Sequence, residues 1–95
     1  MDLGNAIKTL RTKQGMTQAQ LAEKMDMSIN AVSSLETGKT YPPKATVEKL
    51  CEAFGVSVAL FQLSAIDEGD FPEEKKVLYR ALLEPLRSEL LDKKG

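Results

Sequence analysis

Few side chains in this sequence can make or break covalent bonds. Histidine is absent and Cys51 stands alone, which removes the histidine-based nucleophile arrangements, the common zinc ligand sets and any internal disulfide. No metal or cofactor is expected. Glu73 and Glu74 are adjacent carboxylates near a helix start, where the helix dipole favours them, and nothing around them suggests proton transfer. What remains is non-covalent chemistry. Asn30, Ser33 and Ser34 follow Ser28 within a few residues, a run of small polar groups that can donate and accept hydrogen bonds without reacting. The chain therefore reads as a binding protein and not an enzyme.

The elements that must position these groups are marked by caps and helical periodicity. Leu3, Ile7 and Leu10 form the stripe of a first helix ending near Gln14-Gly15. Thr17 and Gln20 have the spacing of a capping box, with Met16 and Leu21 placed as a hydrophobic staple, so a second helix starts there. It breaks at Asp26-Met27-Ser28, where Ser28 can cap a third helix with Val32 and Leu35 inward, and Gly38 ends it. Pro43 suits the first position of a fourth helix, whose inward face is Val47, Leu50, Cys51 and Phe54, ending at Gly55. Ser57 caps a short fifth helix, Val56 can staple onto Phe61, and Leu60 and Leu63 continue its apolar face. Cys51 is expected to be a buried small hydrophobe, and Tyr41 to pack within the loop after the third helix.

Length and composition agree with a small all-α domain. Ninety-five residues, 42% hydrophobic and 28% charged, suit one globular unit with a modest core. No run of about 18 apolar residues is present to span a bilayer, and the start Met1-Asp2-Leu3 lacks a secretory layout, so no membrane association and a cytoplasmic location are expected. Net charge is −1, which by itself offers no basic signature. Residues 1–63 carry one more basic than acidic side chain, whereas residues 64–95 carry two more acidic than basic. The two segments are thus expected to face different partners. Aromatic residues make up 5%, too few for a platform that stacks single-stranded bases.

Two short helices joined by a three-residue break, the second carrying small polar residues outward, have the spacing that lets one helix cross a DNA backbone while the next enters the major groove. From about Ile7 to Phe61 the chain resembles the lambda-repressor/Cro-type, or Xre-like, helix-turn-helix family. The resemblance rests on Lys8-Thr9-Leu10-Arg11, the run from Gly15 to Ala22, the run from Ser28 to Lys39, and that from Leu50 to Ser57. It implies a five-helix domain over residues 1–66 and a recognition helix from Ser28 to Thr37. Matched position by position, Ser28, Ile29, Asn30 and Ser34 fall on base-reading sites of double-stranded DNA, while Gln18, Ser33, Thr37, Lys39, Thr40 and Lys44 fall on phosphate contacts. Asn30 has the chemistry to address N6 and N7 of one adenine and Ile29 to touch a thymine methyl. Arg11 and Glu36 match a buried ion pair that serves the fold.

Residues 67–95 form a helical extension after the acidic turn at Asp67-Glu68-Gly69-Asp70. Pro85 is expected to divide it into pieces near 72–83 and 85–93, or to kink it sharply. Lys75-Lys76 and Lys93-Lys94 read as solvated faces. Val77, Leu78, Leu82, Leu86 and Leu90 are more apolar surface than a free tail exposes. Residues 72–94 therefore fold back on the domain, pair with a second copy, or hold another protein; pairing is favoured, because one half-site is too little DNA for tight binding. The leading expectation is a sequence-specific transcriptional regulator, a repressor bound as a homodimer to a two-fold symmetric operator. The alternative is an antitoxin-like or adaptor module whose C-terminal helices hold a heterologous partner.

Overall fold

The computed structural model describes residues 1–92, with side chains through Glu89; the expectations on Leu90 and Lys93-Lys94 lie outside the described side chains. Every regular element among these residues is helical: α1 Leu3–Lys13, α2 Gln18–Met25, α3 Ile29–Glu36, α4 Lys44–Phe54 and α5 Val58–Ala65, then α6 Lys76–Leu78, a π-helical turn Tyr79–Leu83 and α7 Glu84–Asp92. Among them, no helix is long and apolar enough to cross a membrane.

Local chemistry sets most of the boundaries. Thr17 Oγ1 accepts from the Gln20 amide while Gln20 Oε1 accepts from the Thr17 amide, closing the capping box. Ser28 and Ser57 hydroxyls accept from the amides of Ala31 and Leu60, each at 3.0 Å. Such caps contribute roughly 1 kcal/mol each. Gly38 and Gly55 follow α3 and α4 with φ of 81° and 71°, a region that costs a side-chain-bearing residue and is open to glycine. Pro43 occupies the cap position and Lys44 opens α4, one residue later than proline's preference for the first turn suggests. Its extended backbone at ψ 165° precedes the helix instead of starting it.

The core gathers one stripe from each of the first five helices. Ile7, Leu21, Val32, Leu50 and Phe61 are fully buried, with Ala6, Ala22, Met25, Leu35, Cys51, Phe54 and Ala65 around them. Each large side chain removed from water there stabilises the fold by roughly 1.5–3 kcal/mol. The inward residues of α5 are Phe61, which was expected to staple onto Val56, together with Ser64 and Ala65, whereas the expected Leu60 and Leu63 are only half-buried. Val58, Ala59, Leu60, Phe61 and Leu63 make α5 apolar on most sides, so no single stripe marked the buried face. Buried Ser64 is accommodated because its hydroxyl donates to the Phe61 carbonyl at 2.6 Å.

The chain stays helical across Pro85. Proline has no amide to donate back one turn and its ring crowds the preceding carbonyls. The wider π turn at Tyr79–Leu83 immediately before α7 relaxes that spacing, so the expected division into two pieces does not occur. One side of this extension packs on α1 and α5. Tyr79 is buried beside Phe71, ring centroids 5.3 Å apart; its hydroxyl donates to Glu84 at 2.5 Å, and Arg87 Nε donates to the Ile66 carbonyl at 3.1 Å. The opposite side leaves Val77, Leu78, Leu82 and Leu86 exposed.

Candidate nucleic-acid interface

The unit formed by α2 and α3 turns on Asp26, which adopts the left-handed region at φ 54°. Its amide closes α2 onto Ala22, and the Met27 amide also returns to the Ala22 carbonyl at 3.0 Å. Within three residues Ser28 has capped α3. Val32 and Leu35 then anchor the inner side of α3 in the core, which leaves Ile29 and Asn30 of that helix exposed.

Ile29 and Asn30 lie exposed on the first turn of α3, and Ser34 is half-buried one turn later. Ser28, Asn30 and Ser34 line a single recess of about 310 Å³ together with Thr40 from the following loop and Thr46 from α4. The expected residues that converge are therefore Ser28, Asn30, Ser34 and Thr40. One lone pair of the Ser28 hydroxyl is used in capping, so what it has left to offer is its O–H and a second lone pair. Thr46 belongs to the same wall and was not singled out from sequence, since its approach depends on where the loop after α3 delivers the first turn of α4. No local pattern signals it.

The remaining expected positions frame this surface. Ser33 is half-buried, and its carbonyl receives the Thr37 amide at 2.9 Å. Thr37, Lys39 and Thr40 are exposed, and the Thr40 amide donates to the Ser34 carbonyl at 3.2 Å, folding the loop back on the end of α3. Lys44 stands apart: exposed on the first turn of α4, it borders a separate cavity of about 400 Å³ with Tyr41, Val47, Glu48 and Val58. Tyr41 does not pack within its loop as expected, because 72% of it is exposed; Pro42 takes the buried place beside it.

Beneath this surface, Arg11 of α1 and Glu36 of α3 form the ion pair that the resemblance implies. Arg11 Nε donates to Glu36 Oε2 at 2.5 Å and its second arm to Oε1 at 3.1 Å, while the third nitrogen donates to the Met16 carbonyl at 2.7 Å. Little of either side chain reaches solvent. Gln18 joins the pair through Nε2, which donates to Glu36 Oε1 at 3.1 Å. Removing one partner of such a buried pair costs about 3–5 kcal/mol, because the other charge is left without compensation.

The helix-turn-helix family profile matches residues 7–61. Among curated proteins, the chain is 42% identical over 65 residues to the competence pilus inhibition repressor of Acinetobacter baylyi, covering 68% of this chain and 59% of that protein. It is 29% identical over 75 residues to the HTH-type transcriptional regulator PuuR of Escherichia coli, covering 79% of this chain and 38% of that one. It is 34% identical over 59 residues to the immunity repressor protein of Bacillus phage phi105, covering 62% of this chain and 41% of that one. The chain thus spans less than two thirds of the length of each of these relatives. No solved structure matches it. With capped α2 and α3 joined by a three-residue turn, anchored on a shared core, and with the profile running from α1 into α5, the chain belongs to the lambda-repressor/Cro-type helix-turn-helix family.

Proposed function

We propose that this protein is a sequence-specific double-stranded DNA-binding transcriptional regulator, a repressor that occupies a two-fold symmetric operator as a homodimer in the cytoplasm. The observation that carries the reading is the outer face of α3, where Asn30 and Ile29 are exposed and Asn30 shares a recess with Ser28, Ser34 and Thr40. An amide on the first turn of a helix can bond N6 and N7 of an adenine in the major groove, with an adjacent aliphatic group against a thymine methyl. Gln18, Ser33, Thr37, Lys39, Thr40 and Lys44 supply backbone contacts that hold register without reading sequence. Two of the relatives are named as repressors, which supports the same role.

The second copy is assigned to the exposed Val77, Leu78, Leu82 and Leu86 surface. Two-fold pairing places recognition helices about 34 Å apart, one turn of duplex. The same exposed stripe supports a second reading, in which it holds a heterologous protein as an antitoxin-like or adaptor module does.

Selection from random duplexes followed by footprinting tests the first reading, with Asn30→Ala as the control. The expected result is a palindromic site at which Asn30→Ala loses about 1–3 kcal/mol of preference at one base pair per half-site. Equal, weak retention of all duplexes overturns it. Sedimentation then separates the two roles of the stripe: a dimer that Leu82→Lys dissociates supports self-pairing, and a monomeric wild-type chain rejects it.

A further inference from the structure

Gln18 and Glu36 sit at opposite ends of the two-helix unit, the first residue of α2 and the last of α3, yet their side chains meet at 3.1 Å. Glu36 is itself fixed. Both its oxygens are held by Arg11, whose remaining nitrogen is tied to the Met16 carbonyl in the loop before α2, and only 3% of the Glu36 side chain is exposed. A carboxylate can accept and cannot donate, so it selects one of the two nearly isosteric orientations of the Gln18 amide, the one with NH2 toward Glu36. One N–H is committed to the carboxylate, and a second is left to donate. Gln18 is only half-buried, so this oriented amide borders solvent at the start of α2.

We propose that Glu36 is a positioning residue for DNA backbone binding: anchored by Arg11, it holds the Gln18 amide in the orientation that presents its second N–H to a phosphate oxygen. The proposal deepens the reading of the α2–α3 surface as a DNA interface and rests on it. A surface glutamine otherwise samples several rotamers and both amide orientations, and ordering it at the moment of binding weakens the complex. The strut removes that cost beforehand. It also explains why a carboxylate, which repels phosphate at long range, stands next to the clamp.

The sign of one substitution separates positioning from simple electrostatics. Glu36→Gln deletes a negative charge, so an electrostatic role alone tightens binding to any duplex. Positioning requires the reverse, because a neutral amide at position 36 accepts either orientation of Gln18. With the selected duplex, Gln18→Ala is expected to weaken binding about tenfold, as loss of one hydrogen bond to a charged group does. Glu36→Gln is expected to weaken it severalfold in the wild-type background and not at all in the Gln18→Ala background, a coupling that a purely structural role does not produce. Tighter binding by Glu36→Gln, or additive losses, overturns the proposal.

A measurement on the wild-type protein decides the matter even if Glu36→Gln does not fold. In the free, 15N-labelled full chain, the Gln18 side-chain amide is expected to show a heteronuclear NOE close to that of the helix backbone, as a fixed group does. A value typical of a freely reorienting surface amide rejects the strut. Failure here is distinct from failure of the DNA reading: Asn30→Ala altering base preference while Gln18→Ala is silent removes only the positioning role, whereas a wild-type chain without duplex preference removes both.

Discussion

Gly4 of α1 lies against the Leu35 carbonyl near the end of α3, so close that a Cβ built on Gly4 would stand 2.7 Å from that oxygen and 2.7 Å from the Glu36 carbonyl oxygen. The contact is with backbone, which cannot swing aside as a side-chain tip can. Together with the Arg11–Glu36 pair, it sets how near α1 approaches α3, the helix proposed to read DNA.

Gly4→Ala should therefore destabilise the fold by about 1–3 kcal/mol, the usual cost of overpacking a closed contact, despite alanine's better helix propensity. Urea denaturation checks this, with the midpoint falling and the slope unchanged. Unchanged or raised stability would show that α1 and α3 are not in this contact in solution.

Asp26 carries φ 54° and ψ 50° in the turn between α2 and α3. A left-handed backbone strains a residue with a Cβ, and aspartate tolerates it better than most. Asp26→Gly is expected to raise stability by about 0.5 kcal/mol, the relief of strain slightly exceeding the entropy glycine adds to the unfolded chain. Thermal melting reads the sign, and DNA binding should be retained because the turn geometry is kept.

Lys44 opens α4, whose first turn contains no acidic residue, at the helix end where the dipole disfavours a cation. Replacing it by glutamate should have opposite effects on two properties. Lys44→Glu is predicted to stabilise the isolated protein by about 0.3–1 kcal/mol. It should also weaken DNA binding and lower the slope of log affinity against log salt by about one if a phosphate contact is lost. An unchanged slope would take Lys44 out of the interface.

Tyr79 has its phenol pushed up to about 12, first by burial and then by donating to Glu84. Its ordinary value is 10. Between these values the unfolded chain loses the proton while the folded chain keeps it, so the folded state binds more protons and stability falls as pH rises. The contribution is whole below pH 10 and lost as pH climbs to about 12. Tyr79→Phe should show a shallower alkaline loss of stability in denaturation series than wild type. Parallel curves would place the hydroxyl outside the contact between the extension and the domain.

How much was legible depends on how far apart the interacting groups lie in sequence. Thr17–Gln20, Ser28–Ala31 and Ser57–Leu60 are bonds across three residues, so their partners are fixed as soon as the chain turns helical, and the starts of α2, α3 and α5 followed from residue types alone. The outward exposure of Ile29 and Asn30 was equally local, since Val32 and Leu35 settle which side of α3 is buried. The all-helical class also followed from such local signals, while the family followed from the resemblance carried by the runs between Lys8 and Ser57.

Tertiary structure decided the rest. Thr46 meets the recess of Asn30 and Ser34 only because the loop after α3 brings the first turn of α4 there; Gln18 meets Glu36 across 18 residues of sequence; and Gly4 is required only because α1 is pressed on α3. α5 is apolar on most sides, so packing and not periodicity put Ser64 and Ala65 beside Phe61 on its buried face. Pro85 announced a break that the π turn before it and the Tyr79–Glu84 and Arg87–Ile66 contacts absorb. The physical reason is common to all: caps and periodicity are energies of neighbouring residues, whereas helix crossings are fixed by how the whole core closes, and no single segment carries that information.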